Sequence, residues 1–224
     1  MRVLAAADIH GVISVYQWLL DLIPREQPDV VLLAGDLLLG GWAEEQQKQV
    51  QESVLPLLRQ APVPLFYLMG NDDFVGLDYE DKRVKPLHGR RLELGGYGFV
   101  GYQYSLPFVG GGFEKPEAEI ETGIRELEAL LDGRTVLVTH SPAYGVLDRT
   151  YSGEAVGSRS LAGLLERRPV LAHIHGHIHE SFGRQGNHFN VAAAGRRRAV
   201  LIELPSLLHR VVSGGTGTSS GGWG

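Results

Sequence analysis

Five short apolar runs, each followed at once by aspartate, asparagine or histidine, constrain this chain more than any other feature. Val3–Ala7 leads into Asp8 and His10, and Val30–Ala34 into Gly35 and Asp36. Leu65–Met69 leads into Gly70, Asn71, Asp72 and Asp73, Thr135–Thr139 into His140, and Val170–His175 into Gly176, His177 and His179. Between the runs, apolar residues repeat at helical spacing. Val12, Val15, Tyr16, Leu19, Leu22 and Ile23 mark the first such stretch, which Pro24 and Pro28 are expected to end. Val50, Val54, Leu57 and Leu58 mark the second. Ile120, Ile124, Leu127 and Leu131 mark the third, and Leu161, Leu164 and Leu165 a short fourth. Strands alternating with helices imply parallel pairing with helical crossovers. Sites in such sheets form at the carboxyl ends of strands, which is where these polar residues lie.

Two regions depart from the alternation. Gly95-Gly96 separates Arg91–Leu94 from Tyr97–Gly101, which reads as a β-hairpin. Phe189–Ala192, Ala199–Leu204 and Leu207–Val212 read as consecutive strands. The expected fold is therefore α/β, with two mixed β-sheets packed face to face and helices outside. A chain of 224 residues suits one domain, placed here at 1–212. Residues 213–224 hold six glycines, two threonines, three serines and one tryptophan, a composition that predicts a mobile tail.

Composition removes several function classes. The absence of cysteine excludes disulfides, zinc–thiolate sites, iron–sulfur clusters and a thiol nucleophile. A net charge of −5 gives no pull toward nucleic acid or anionic lipid, and Arg196-Arg197-Arg198 reads as a solvated turn. No apolar run is long enough to span a bilayer, and the first residues read as a strand, not a signal peptide. A cytoplasmic protein acting on a small phosphorylated substrate, without membrane or nucleic-acid partners, is the expectation. Oligomeric state is not readable.

What remains is metal chemistry. Asp8 and His10 are two apart, as are His177 and His179, so an extended backbone points each pair one way. Glycine precedes Asp36, Asn71 and His177, permitting sharp turns and close approach. The candidate ligands are Asp8, His10, Asp36, Asn71, His140, His177 and His179. Imidazole and carboxylate without thiolate suit Mn²⁺, Fe, Co²⁺, Ni²⁺ or Zn²⁺ better than Ca²⁺, and Mn²⁺ is taken as the expected ion. These ligands are too many for one tetrahedral ion and fit two divalent ions sharing a bridge, with Asp36 the natural bridging carboxylate. Such a pair, about 3.5 Å apart, can activate water and clamp an in-line phosphoryl displacement.

Asp8-Ile9-His10, Gly35-Asp36, Gly70-Asn71-Asp72-Asp73, Thr139-His140 and Gly176-His177-Ile178-His179, in this order, resemble the calcineurin-like metallophosphoesterases. The resemblance spans residues 1–204. It implies a four-layer α-β-β-α sandwich, with one ion held by Asp8, His10, Asp36 and His179 and the other by Asp36, Asn71, His140 and His177. Asp72 stands where many members have histidine, a position associated with leaving-group protonation. Gly-Asn-x-Asp looks more like the branch holding small phosphodiesterases, which also includes a scaffold subunit with little catalysis. The reading is a phosphodiesterase in which a hydroxide bridging the two ions attacks phosphorus. The alternatives are a phosphomonoesterase or nucleotidase, and a non-catalytic scaffold. Beyond the ligands, Asp72 is a candidate catalytic group and His175 a candidate for orienting a ligand from behind. His173 is expected to pack behind the site. Tyr144 and Arg149 are candidate substrate contacts, and Gly110-Gly111-Gly112 a candidate flap.

Overall fold

The structure is a computed structural model that describes residues 1–38 and 44–214. Its element order is β1 (Arg2–Ala6), α1 (Ile13–Glu26), β2 (Val30–Ala34), α2 (Glu44–Leu58), β3 (Leu65–Leu68), β4 (Val84–Pro86), β5 (Arg91–Leu94) and β6 (Tyr97–Tyr102). There follow α3 (Glu117–Leu127), β7 (Thr135–Thr139), α4 (Arg159–Arg167), β8 (Ala172–His175), β9 (Gly183–Gln185), β10 (His188–Asn190), β11 (Arg198–Glu203) and β12 (Leu208–Ser213). The strands form two six-stranded sheets, ordered β12-β11-β1-β2-β3-β4 and β5-β6-β7-β8-β10-β9. In the first, β1 to β4 run parallel, and β11 and β12 add antiparallel to the β1 side. In the second, β6, β7, β8 and β10 run parallel, flanked by antiparallel β5 and β9.

Strand alternation sorts the core into layers. Val3, Ala5, Val30, Leu32 and Phe66 of the first sheet pack against Phe99, Val136, Val138, Ala172 and Ile174 of the second. Phe66 and Phe99 meet edge to face across this seam, with centroids 5.5 Å apart. The opposite faces bury Leu4, Val31 and Leu33 under α1 and α2, and Val100, Leu137 and Tyr102 under α3 and α4. The result is the expected α-β-β-α sandwich.

Several local expectations shift. Pro24 does not end α1, which runs two more residues before Gln27 takes a left-handed conformation and donates its N–H to the Ile23 carbonyl. Proline lacks only its own N–H, so near a C-terminus it removes one bond and the last turn survives. The strand expected over Phe189–Ala192 is β10, beginning at His188 and ending at Asn190. β4 and β9 carry no apolar run and were not expected. Arg196, Arg197 and Arg198 are exposed and sit at the turn entering β11. Of the glycine-rich tail, Ser213 closes β12, and residues 215–224 lie outside the described residues.

Candidate metal centre

The parallel strands bring their carboxyl ends to one place, across both sheets. The loops after β1 and β2 are tied together by backbone bonds: Asp8 N–H to Gly35 O (3.0 Å), and Ile9 and His10 N–H to Asp36 O (2.9 Å each). The loops after β7 and β8 meet through Gly176 N–H to His140 O (3.1 Å). The two sheets join through His177 N–H to Asp8 Oδ2 (3.2 Å) and His140 Nδ1 to the Ala34 carbonyl (2.9 Å).

Two groups of side chains converge. Ligand atoms of Asp8, His10 and His179 lie within 4.8 Å of one another, as do those of Asp8, Asp36 and His140. Asp8, not Asp36, is common to these two sets. His179 Nε2 is 3.0 Å from Asp8 Oδ1. His140 Nε2 is 2.8 Å from Asn71 Oδ1 and 3.4 Å from Asp36 Oδ1. His177 joins neither set, although its ring lies 5.1 Å from that of His140. Asp8, Asp36, Asn71 and His140 are buried, while His10 and His179 reach solvent.

The backbone that presents these groups is unusual. Asp8, His10, Asp36 and His177 all have positive φ, at 60°, 50°, 51° and 76°. Non-glycine residues rarely adopt this region, and those that do cluster at functional sites. Sequence gives no sign of it. The glycine before Asn71 is sterically required: a Cβ on Gly70 would sit 2.2 Å from Asp36 Oδ1 and 2.4 Å from Asp36 N. Asp73 is a further residue of weight. Its buried carboxylate accepts the backbone N–H of Leu37 (3.1 Å), Leu38 (2.7 Å) and Gly70 (2.8 Å), locking the Asp36 loop to the Asn71 loop. Gln47 of α2 accepts from Phe74 N–H (2.6 Å) and donates to the Asp72 carbonyl (2.7 Å), bracing the same loop. The Gly-Asn-Asp-Asp motif contained Asp73, but its spacing alone did not separate a ligand from a brace.

Electrostatics follow from four crowded carboxylates, those of Asp8, Asp36, Asp72 and Asp73. Burial alone would strip the proton from His10. The Asp72 hydrogen bond and the charges of Asp36 and Asp8 outweigh it and raise the imidazole to about 9. Burial opposes protonation of His140 too, but Asp36 and Asp8 bring it to about 9. Burial disfavours the charged form of Asp36, yet His140 and His10 hold it well below the usual carboxylate range. Burial, with the Asp36 charge, lifts Asp73 to about 7. Burial and the neighbouring His140 push His177 down to about 3, a neutral imidazole with a free lone pair.

These residues fit divalent ions. His140 has Nδ1 held by a backbone carbonyl, which leaves Nε2 turned toward Asn71 and Asp36, the usual orientation of a metal-ligating histidine. His10 has Nδ1 held 3.2 Å from Asp72 Oδ2, leaving its other nitrogen available. The remaining candidates lie elsewhere or do other things. His175 is fully buried, with Nδ1 3.2 Å from the Gly176 carbonyl and no hydrogen bond to any candidate ligand; its Nε2 has no partner. His173 bonds Thr139 Oγ1 at 2.9 Å behind the site. Tyr144 lines a separate groove with Ala162 and Leu165, under the Arg159 guanidinium. Arg149 donates to the Gly153 carbonyl at 2.7 Å, closing its own loop. Of the glycine run 110–112, Gly111 and Gly112 pack on the Asn71–Phe74 backbone.

A family model for calcineurin-like phosphoesterases matches residues 1–181. UPF0046 protein K07C11.7 of Caenorhabditis elegans is 26% identical over 181 residues, which is 71% of this chain and 59% of that protein. The chain thus spans little over half the length of this curated relative. Among solved structures, TT1561 of Thermus thermophilus is similar with a TM-score of 0.72 at 15% identity, covering 95% of this chain and 98% of that one. A dimetal phosphatase from Danio rerio is similar with a TM-score of 0.64 at 13% identity, covering 94% and 95%. These two likenesses concern the fold. With a family match over most of its length and carboxylates and imidazoles gathered where its parallel strands end, the chain belongs to the calcineurin-like phosphoesterase family.

Proposed function

We propose that this protein is a binuclear metal-dependent phosphodiesterase. Asp8, His10, Asp36 and His179 would hold one divalent ion, and Asp36, Asn71, His140 and His177 the other, with Asp36 shared. Two bound ions supply Lewis-acid stabilisation of phosphoryl oxygens and a nucleophile at neutral pH. The observation that carries the reading is the convergence of strand ends from both sheets on one cluster of carboxylates and imidazoles. Asp72 acts as a positioning residue: its carboxylate fixes the His10 ring, and its N–H donates to Asp36 Oδ1 at 2.9 Å.

Charge around the cleft favours a diester over a monoester. Asp72 and Glu180 line it, and among the described lining residues there is no lysine or arginine. The two ions would draw either ester, while Asp72 and Glu180 beside them repel a doubly charged monoester more than a singly charged diester. The test is hydrolysis of bis-p-nitrophenyl phosphate and p-nitrophenyl phosphate by chelator-stripped protein reloaded with Mn²⁺, Ni²⁺, Co²⁺, Zn²⁺ or Mg²⁺. Metal-restored turnover with higher kcat/KM on the diester is expected, abolished in Asp36→Ala and His177→Ala with the fold intact. Higher kcat/KM on the monoester would make it a monoesterase. No turnover with any ion, and fewer than two ions bound, would make it a scaffold.

A further inference from the structure

The cleft holding His10, Asp36, Asn71 and His177 has a volume of about 420 Å³, and part of its rim is apolar. Seven large hydrophobic residues are exposed on the described surface, and three of them, Phe108 (55% exposed), Val109 (38%) and Tyr151 (81%), line this one cleft. Exposed apolar side chains gathered at a concave site mark a binding surface more often than chance exposure does.

Both loops that carry them are held in place. The Phe108 ring packs edge to face on His177, with centroids 4.8 Å apart. Behind it, Glu114 accepts the N–H groups of Val109 (2.8 Å) and Gly110 (3.0 Å). A Cβ on Gly111 would sit 1.5 Å from the Asn71 carbonyl oxygen, so this loop lies directly on the one that carries a candidate ligand. Tyr151 stands on a tight turn closed by Gly153 N–H to Thr150 O (2.8 Å) and Thr150 N–H to Glu154 O (3.0 Å). Ser181 ties that turn to the short helical turn carrying His179, accepting Arg149 N–H at 3.1 Å. Aromatic rings on rigid supports bind with little ordering cost. The missing cations matter as much. A second phosphate or an acidic peptide would find three carboxylates, Asp36, Asp72 and Glu180, and no arginine among the described lining residues.

We propose that Phe108 and Tyr151 form a specificity site for an uncharged aromatic ring, aryl or heterocyclic, joined to the phosphorus that the metal centre engages. This deepens the phosphodiesterase reading and rests on it. The test is calorimetric binding of phenylphosphonate and methylphosphonate to the Mn²⁺-loaded protein, without turnover. Phenylphosphonate should bind about tenfold more tightly, and Phe108→Ala or Tyr151→Ala should each remove roughly three- to tenfold of that preference. Phe108→Tyr should restore it, and Mn²⁺ affinity should be unchanged in all three. Equal binding of both phosphonates by the wild type overturns the aromatic site and leaves the metal-centre reading standing. Alanine variants that weaken both phosphonates and Mn²⁺ alike also overturn it, since Phe108 would then only support His177. A phenyl preference without turnover of any ester supports the site and removes the esterase. Two bound Mn²⁺ ions with no phosphonate binding removes both.

Discussion

Loading ion-free protein with Mn²⁺ at pH 7 should expel protons from the site. His10 and His140 each titrate at about 9, so two pH units lower each is about 99% protonated. An imidazolium has no lone pair to give a cation, so each of these histidines must release a proton to become a ligand. His179 is also raised, by its bond to Asp8, which favours its protonated form as well. His177, pushed to about 3, and Asp36, held ionised, add none. At least two protons should therefore leave when both ions bind. Removing one proton two units below its pKa costs about 2.7 kcal/mol. With one such histidine per ion, each apparent affinity should be about fiftyfold weaker at pH 7 than at pH 9. The sign reverses in ion-free protein. A histidine raised in the folded state adds stability below about 6.5 that is lost as pH climbs through 9. Stripped protein should thus lose stability across the window in which the metals bind more tightly. Titration calorimetry in buffers of different ionisation enthalpy counts the protons directly. A count well below two would refute the charge balance drawn for this site.

Asp73→Ala should destabilise the fold by about 3 kcal/mol, because three buried N–H groups lose their shared acceptor. For a chain of this size that is a fall in Tm of about 6–12 °C, and an unchanged melting curve would dismiss the brace. Gly70→Ala should cost at least about 1–3 kcal/mol and weaken metal binding, because the added methyl would occupy the space of Asp36. Wild-type metal stoichiometry and melting in that variant would contradict the packing.

Much of the frame was legible because burial writes itself into composition. Val30–Ala34 and Thr135–Thr139 are strands buried on both faces, and such strands must read as continuous apolar runs. The hairpin over Arg91–Tyr102 was legible through Gly95-Gly96, both with positive φ. Val84–Pro86 and Gly183–Gln185 were not, being three-residue edge strands with little to bury. For the site, strand order let the polar residues after each run be grouped. Side-chain direction in loops could not be read. Tyr144 follows His140 closely yet serves another groove, while Phe108 and Tyr151, far from any motif, line the cleft. The left-handed conformations of Asp8 and Asp36 are set by the loops around them, and nothing in the identity of an aspartate reveals them.

The register of β1 bears on how the chain can be synthesised and cut. β1 lies inside its sheet between β2 and β11, with Leu4 opposite both Val31 and Leu201. Its second neighbour, which starts at Arg198, thus emerges from the ribosome after His179. A nascent chain or proteolytic fragment ending near residue 181 carries every candidate ligand but leaves β1, which delivers Asp8, with an unpaired edge. Such an edge invites pairing with other chains. Fragments that look complete by their ligands are therefore expected to aggregate, and trimming toward a minimal metal-binding unit must stop beyond β11.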